Sequence, residues 1–409
     1  MSIKLTPKGI KALDDVVRNT AESKRVPAFA YGVTTADEEV YFNAAGPRLV
    51  TNPSGPQINK DDVFWLCSMT KMITHLAALH LIDQGKLSPE TPVEEFFPQF
   101  AKTVIIDDVS AATPTYKPGT SKMLVKHLQH FTSGLFYGSR GDYGTRLDSP
   151  YSAPHNLVDP HTTWIEVLKG GLPGIPLKFE PGSDWTYGYS SDVLGFIVEK
   201  ISGKTLEAYF QDVIFTPLGI KGSFYLTPYL EEKLLPLSVR TPEGLLEPWT
   251  DQPYVGLMER DPAKISCHLG GVGVYMPLRD YLKLLRHILQ IKAGTATNPI
   301  WSVASIDSIF ISVLSDKSAS SVNQFTALPY PGLSWSTAAA VATKDWEGRR
   351  KKGSIFWTGW AGTTHWIDPS AGVAGVMGTQ LTCGTGGSRD PAVRRAQAEF
   401  EEALYAQLT

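Results

Sequence analysis

Strand-forming stretches lie near both ends of this chain, and that arrangement restricts its fold more than any other feature. "VPAFAYGVTTADEEVYFNAAGP", Val26 to Pro47, reads as two strands around an acidic turn at Asp37 to Glu39. "GSIFWTGWAGTTHWIDPSAGVAGVMGTQL", Gly353 to Leu381, reads as strands joined through a turn at Asp368 to Gly372. A helix of about fifteen residues precedes the first pair. The amphipathic run "RDYLKLLRHILQIK" precedes the second, and "DPAVRRAQAEFEEALYAQL", with Pro391 near its start, closes the chain as a helix. From about Ser88 to Lys264 the sequence changes to short helices and long loops punctuated by proline, glycine and aromatics. One sheet assembled from both termini, with a helical insertion, is the expected architecture. The irregular stretch "YGSRGDYGTRLDSPYSAPHNLVDPH" is expected to border a substrate cleft, because long loops in compact domains are usually functional.

Composition narrows the function. With 409 residues the chain suits two lobes. A formal charge of −3 provides no general pull toward nucleic acid or membrane, so the partner is expected to be a small molecule. Cys67, Cys267 and Cys383 lack C-x-x-C spacing, which argues against a disulfide framework and a zinc site and fits a reducing compartment. The N-terminus has no apolar h-region, no long apolar run occurs, and there is no N-x-S/T sequon; a cytoplasmic protein is expected.

The chemistry begins at "WLCSMTKMITHLAALHLIDQGKL". Met69, Met72, Ile73, Leu76 and Leu79 recur at helical spacing and Gly85 marks a stop, so Ser68 opens a helix and Lys71 lies on the same face. This is the only S-x-x-K in the chain. A serine hydroxyl becomes a nucleophile when a nearby base takes its proton, and a desolvated lysine can do so. The same pair also reads as an N-cap serine followed by a solvated lysine. In "FEPGSDWTYGYSSDVLGFIVEKISG", Tyr187 stands on a loop before a helix that Ser190 to Asp192 are expected to cap and Gly203 to end. Its phenol is either a packed core group or a base whose pKa a cation such as Lys71 lowers. "SGKT" at Ser202 lacks the glycine a phosphate loop needs, and His127 and His130 have no carboxylate at ligand spacing. "RRKK", Arg349 to Lys352, has the charge to bind an acidic partner, but an isolated basic run beside a strand reads as a solvated turn. G-x-S-x-G is absent, which counts against an α/β-hydrolase.

Together these segments resemble the serine β-lactamase and penicillin-binding superfamily, in particular its class C branch with the family VIII carboxylesterases and lovastatin-type acyltransferases. "CSMTK" matches the S-x-x-K, and "DQGKLSPETPVEEFFP", "KHLQHFTSGL", "FEPGSDWTYGYSSDVLG" and "PLGI" follow in the family's order. The resemblance implies an α+β fold of β-lactamase/transpeptidase type: an antiparallel sheet flanked by helices plus a helical, loop-rich lobe. Its lobes would be an α/β part of about residues 1–70 and 265–409 and a helical part of about 71–264. It implies Ser68 as nucleophile, Lys71 as general base and Tyr187 as proton shuttle. The backbone N–H groups of Ser68 and Thr363 would form the oxyanion hole, with no cofactor and no metal.

Where β-lactamases carry K-T-G, this chain is read as Trp360-Ala361-Gly362, similar to the esterases' W-G-G. An indole there cannot attract a substrate carboxylate as lysine would, so a neutral acyl ester is favoured. Trp360, Gly362, Tyr189 and Tyr137 are the expected pocket residues, fitting an apolar or aromatic group. Tyr189 stands for the family's asparagine and Phe131 for the histidine of H-T-S-G. A serine carboxylic-ester hydrolase acting through an acyl-enzyme is expected. The rivals are an acyltransferase using an alcohol or thioester partner, then a β-lactamase or D-amino-acid peptidase, and last a binding protein without catalysis. Acyl group, acceptor and oligomeric state are not written in the sequence.

Overall fold

The computed structural model of the chain describes residues 4–109, 114–137, 151, 158–249, 265–330, 332–382 and 387–408. Most of the long loop expected to border a cleft, and Cys383, lie outside the described residues.

Seven strands form the main sheet: β1 (Phe29–Thr34), β2 (Glu39–Ala45), β3 (Leu333–Trp335), β4 (Ala340–Ala342), β5 (Ile355–Gly359), β6 (Thr363–Asp368) and β7 (Val373–Thr379). Their order is β3-β4-β5-β6-β7-β1-β2, every pair antiparallel. The register Phe29↔Thr379 to Thr34↔Ala374 joins the two ends of the chain, as the distribution of strand signals required.

Alternation on β1 explains the layers, since successive side chains point to opposite faces. Phe29, Tyr31 and Val33 share one core with Leu13 of helix α1 (Pro7–Glu22) and Phe400 of helix α5 (Pro391–Tyr405). Tyr31 stacks on Phe400 at 4.1 Å, and its hydroxyl donates to the Ala396 carbonyl at 3.0 Å. On the other face, helix α4 (Leu278–Lys292) comes so close to Gly32 that an added Cβ would lie 2.6 Å from Leu282 Cδ1. Both terminal helices start as their sequences ask: Thr6 accepts from Gly9 N, and Asp390 from Ala392 N and Val393 N, each just before a proline at N1.

Helix α2 (Thr70–Asp83) is buried on every face and packs against helix α3 (Ser190–Ser202), with Gly203 in the left-handed conformation at its end. Among the described residues no helix is long and apolar enough to cross a membrane. Cys67 and Cys267 are buried free thiols.

Candidate active site

Ser68 does not open the α-helix itself. It sits in a tight 3-10 turn, Cys67–Met69, between the short strand Val63–Trp65 and α2. Cys67 holds φ +49°, a strained value for a residue with a Cβ, and costs of about 1–3 kcal/mol of this kind persist where the surroundings over-determine the backbone. Here Leu66 N–H donates to Val274 O at 2.9 Å, and Thr70 Oγ1 accepts from Val274 N at 3.2 Å. The turn that carries Ser68 is thus stitched to Val274.

That stitching places the Gly271 carbonyl over α2, where Lys71 Nζ donates to it at 2.7 Å. Nζ also lies 2.9 Å from Tyr137 Oη and 3.2 Å from Ser68 Oγ. Burial pushes Lys71 down to about 8, opposed by the charge of Asp192. The solvated-lysine reading is therefore excluded: the side chain is 1% exposed. Three contacts match the valence of a neutral amine, with two N–H donors for Gly271 and Tyr137 and one lone pair to receive the Ser68 proton.

Ser190, Ser191 and Asp192 do not cap α3, as the sequence suggested; all three turn inward. Ser190 Oγ meets Ser133 Oγ at 2.8 Å and Ser191 Oγ meets His75 Nε2 at 2.9 Å. Asp192 accepts from Gly271 N at 2.8 Å and from Tyr151 Oη at 2.6 Å. Burial pushes this carboxyl up, against the pull of Lys71 and of these donors. A side chain on Gly271 would collide with Asp192, its Cβ 2.8 Å from Oδ2, so glycine is needed for the amide to reach the carboxylate.

Tyr187 is buried with its ring face 4.8 Å from Lys71 Nζ, and its oxygen accepts from Trp357 Nε1 at 3.0 Å. The direct phenol contact to Lys71 comes from Tyr137, which the sequence had placed only on the pocket wall. Phe131, the replacement for the family's histidine, stacks on Tyr187 at 5.4 Å and on His75 at 5.8 Å. It backs the Tyr187 ring with apolar surface. Burial pushes His75 down to about 4, leaving it neutral between Ser191 and the Thr337 carbonyl. Among the described residues no histidine lines the cavity, and Lys71 Nζ lies 3.2 Å from Ser68 Oγ.

The cavity, about 240 Å³, is lined by Ser68, Tyr137, Tyr187, Tyr189, Trp357 and Trp360, among others. Gly362 and Thr363 are not among its described lining residues. Trp360 to Gly362 form the turn between β5 and β6, whereas Trp357, Thr358 and Gly359 are the strand residues beside the nucleophile. Gly359 packs against Leu66 O so closely that an added Cβ would lie 2.3 Å away. Thr363 is fully buried on β6, its hydroxyl donating to Leu66 O at 3.1 Å. Burial pushes the thiol of Cys67, one residue before Ser68, up, against a downward pull from the Ala361 and Trp360 backbone. The sequence reading missed Trp357; its signal was a second W-x-G, Trp357-Thr358-Gly359, three residues upstream of the one chosen.

The basic run is also different from its sequence reading. Lys351 and Lys352 are exposed, but Arg349 and Arg350 are buried, both pair with Glu401 of α5, and both line the cavity.

Comparison with known proteins places the chain in a family. The family model described as Beta-lactamase matches residues 13–399. Lovastatin esterase from Penicillium rubens is 27% identical over 365 residues, 83% of this chain and 85% of that protein. Acyltransferase calJ from Penicillium decumbens is 26% identical over 371 residues, 85% of this chain and 82% of that protein. The unliganded structure of simvastatin synthase (LovD) from Aspergillus terreus aligns with a TM-score of 0.79 at 25% identity, covering 98% of both chains. The chain belongs to the Beta-lactamase family and has its α+β fold, an antiparallel sheet with helices.

Proposed function

We propose that this family member is a serine carboxylic-ester hydrolase that works through an acyl-enzyme on Ser68. The observation that carries the reading is the environment of Lys71: a buried amine that donates to the Gly271 carbonyl and to Tyr137 Oη and lies 3.2 Å from Ser68 Oγ, close enough to take that hydroxyl's proton when neutral. Ser68 Oγ attacks the ester carbonyl while its proton passes to Nζ. The negative charge gathers on the carbonyl oxygen, where the backbone N–H of Ser68 and that of Trp360, in place of Thr363, receive it; such donors supply about 3 kcal/mol each. Collapse breaks the carbon–oxygen bond, and the alkoxide takes a proton through Tyr187 or Tyr137 from Lys71. Water then repeats the sequence in reverse, protonating Ser68 and releasing the acid. The aromatic lining suits an apolar or aromatic group at the reacting carbonyl.

Transfer of the acyl group to an alcohol is the second reading, favoured by the acyltransferase and synthase among the relatives. Both readings share the acyl-enzyme. Intact-mass spectrometry of protein quenched early with aliphatic and hydroxycinnamoyl esters, beside Ser68→Ala, tests it. An acyl increment on the wild type alone is expected; an increment that persists in Ser68→Ala, or full turnover by that variant, would refute it. Adding a competing alcohol and measuring acid against new ester then separates hydrolysis from transfer.

A further inference from the structure

Among the described residues the cavity is charged at one side, and that charge has a single sign. Arg349, Arg350, Arg389 and Arg394 line it, with no aspartate or glutamate among its described lining residues, in a chain whose net charge is −3. Arg349 and Arg350 are 4% and 1% exposed. Both bind the one carboxylate of Glu401, Arg349 through Nε at 3.0 Å and Nη2 at 2.7 Å, Arg350 through Nε at 2.9 Å and Nη2. Each keeps an Nη1 that has no hydrogen-bond partner among the described residues. Among the described residues, two guanidinium groups sharing one carboxylate leave a net positive charge and two Nη1 groups without an acceptor in a buried place, which a structural clamp has no need of. Aromatic faces compensate in part: Arg349 lies 4.4 Å from the Tyr330 ring and Arg350 4.8 Å from that of Phe356.

Arg389 extends this wall toward the reacting groups. Its guanidinium lies 4.7 Å over Phe325 and donates to that residue's carbonyl at 2.7 Å. Phe325 touches Tyr187 at 5.0 Å, and Tyr187 lies beneath Lys71 at 4.8 Å. Two aromatic rings therefore separate the arginine from the base, a spacing that a substrate spans with its ester at Ser68 and an anion several bonds away.

We propose that the arginine wall is a carboxylate-binding subsite and that the ester processed at Ser68 carries an ionised carboxylate remote from the scissile bond. The inference rests on the ester reading above and sharpens its substrate class. The reacting end stays apolar against the aromatic lining; the charge belongs to the far end.

The test compares each carboxylate with its carboxamide isostere in two series. One is the p-nitrophenyl monoesters of linear dicarboxylic acids, with charge on the acyl side; the other is the acetyl esters of hydroxyphenylalkanoic acids, with charge on the leaving side. In at least one series kcat/KM is expected to favour the carboxylate by about tenfold or more, mainly through KM, as charge-assisted hydrogen bonds do. That ratio, taken within each variant, should fall toward one in Arg389→Gln and in Arg349→Gln, and decrease with added salt. Arg349 also holds Glu401, so its variant counts only where circular dichroism shows native structure; otherwise Arg389→Gln decides. Ratios at or below one in both series, or a ratio untouched in Arg389→Gln, would overturn the subsite while leaving the ester reading intact. Absence of turnover and of acylated Ser68 with every carboxylate and carboxamide would remove both.

Discussion

Two buried cationic sites lie on one cavity and reach opposite states. Around Lys71 the immediate partners are neutral: a carbonyl, a phenol and a hydroxyl, with Asp192 one residue further out behind the Gly271 amide. Around Arg349 and Arg350 the partner is Glu401 itself, held below its ordinary 4.5 because the two arginines outweigh the upward push of burial. The difference teaches how burial is used. A lysine can surrender its proton when desolvated, whereas a guanidinium stays charged and must be matched by an anion. The first site is suited to give up a proton, and the second to hold an anion.

The sharpest break of this contrast is to exchange the two chemistries. Lys71→Arg keeps the cation but cannot accept the Ser68 proton, so kcat/KM on a p-nitrophenyl ester is expected to fall by about 10³-fold or more, the usual range for losing an activated nucleophile's base. Near wild-type turnover would remove Lys71 from the mechanism. Lys71→Met should be equally inactive yet more stable at pH 7, by about 1–3 kcal/mol in urea denaturation. The sign follows from a folded pKa near 8 below an unfolded 10.5: the unfolded chain binds the extra proton, so wild-type stability rises as pH climbs through that window.

Glu401→Gln attacks the other site and is expected to cost about 3–5 kcal/mol, because it strands two buried guanidinium groups. Here too stability rises with pH, but in an acid window instead of an alkaline one. Glu401 is depressed, so its contribution is present above pH 4.5 and is lost as pH falls below that value. A loss of stability under about 1 kcal/mol would show that the arginines do not need their partner.

Smaller effects refine the base. The kcat/KM profile of the wild type should climb tenfold per pH unit and level near pH 8, where Lys71 becomes neutral. Asp192→Asn removes the charge that raises Lys71, so the same limb should move to lower pH by about one unit; a limb that moves upward would contradict that assignment. Trp357→Phe takes away only the indole N–H that reaches Tyr187 Oη, and a loss of about fivefold in kcat/KM is expected, equivalent to one ordinary hydrogen bond.

The legible part of the molecule was the local part. Ser68 and Lys71 meet because they are three residues apart, the acidic turn and the turn after Asp368 close adjacent strands, and Gly203 and the Asp390-Pro391 pair end and begin helices through their own backbone preferences. Motif order along the chain was enough to indicate the family. What the sequence misjudged, it misjudged because long-range packing overrode a local preference. Ser190 to Asp192 have the residue types of a helix cap, yet His75, Ser133, Gly271 and Tyr151 claim their side chains. "RRKK" has the composition of a solvated turn, yet Glu401, 52 positions from Arg349, draws two of its four cations inside.

The sequence by itself therefore determined the fold class, the antiparallel joining of the two chain ends, and the serine–lysine pair, since each depends on residues a few positions apart or on their order. Only the tertiary structure decided that the lysine is buried beside Ser68, that Tyr137 touches its amine and Trp357 the Tyr187 phenol, and that arginines line the far side of the cavity. Protonation and specificity depend on desolvation and on partners such as Gly271, 200 positions from Lys71, and such contacts exist only once the chain has folded.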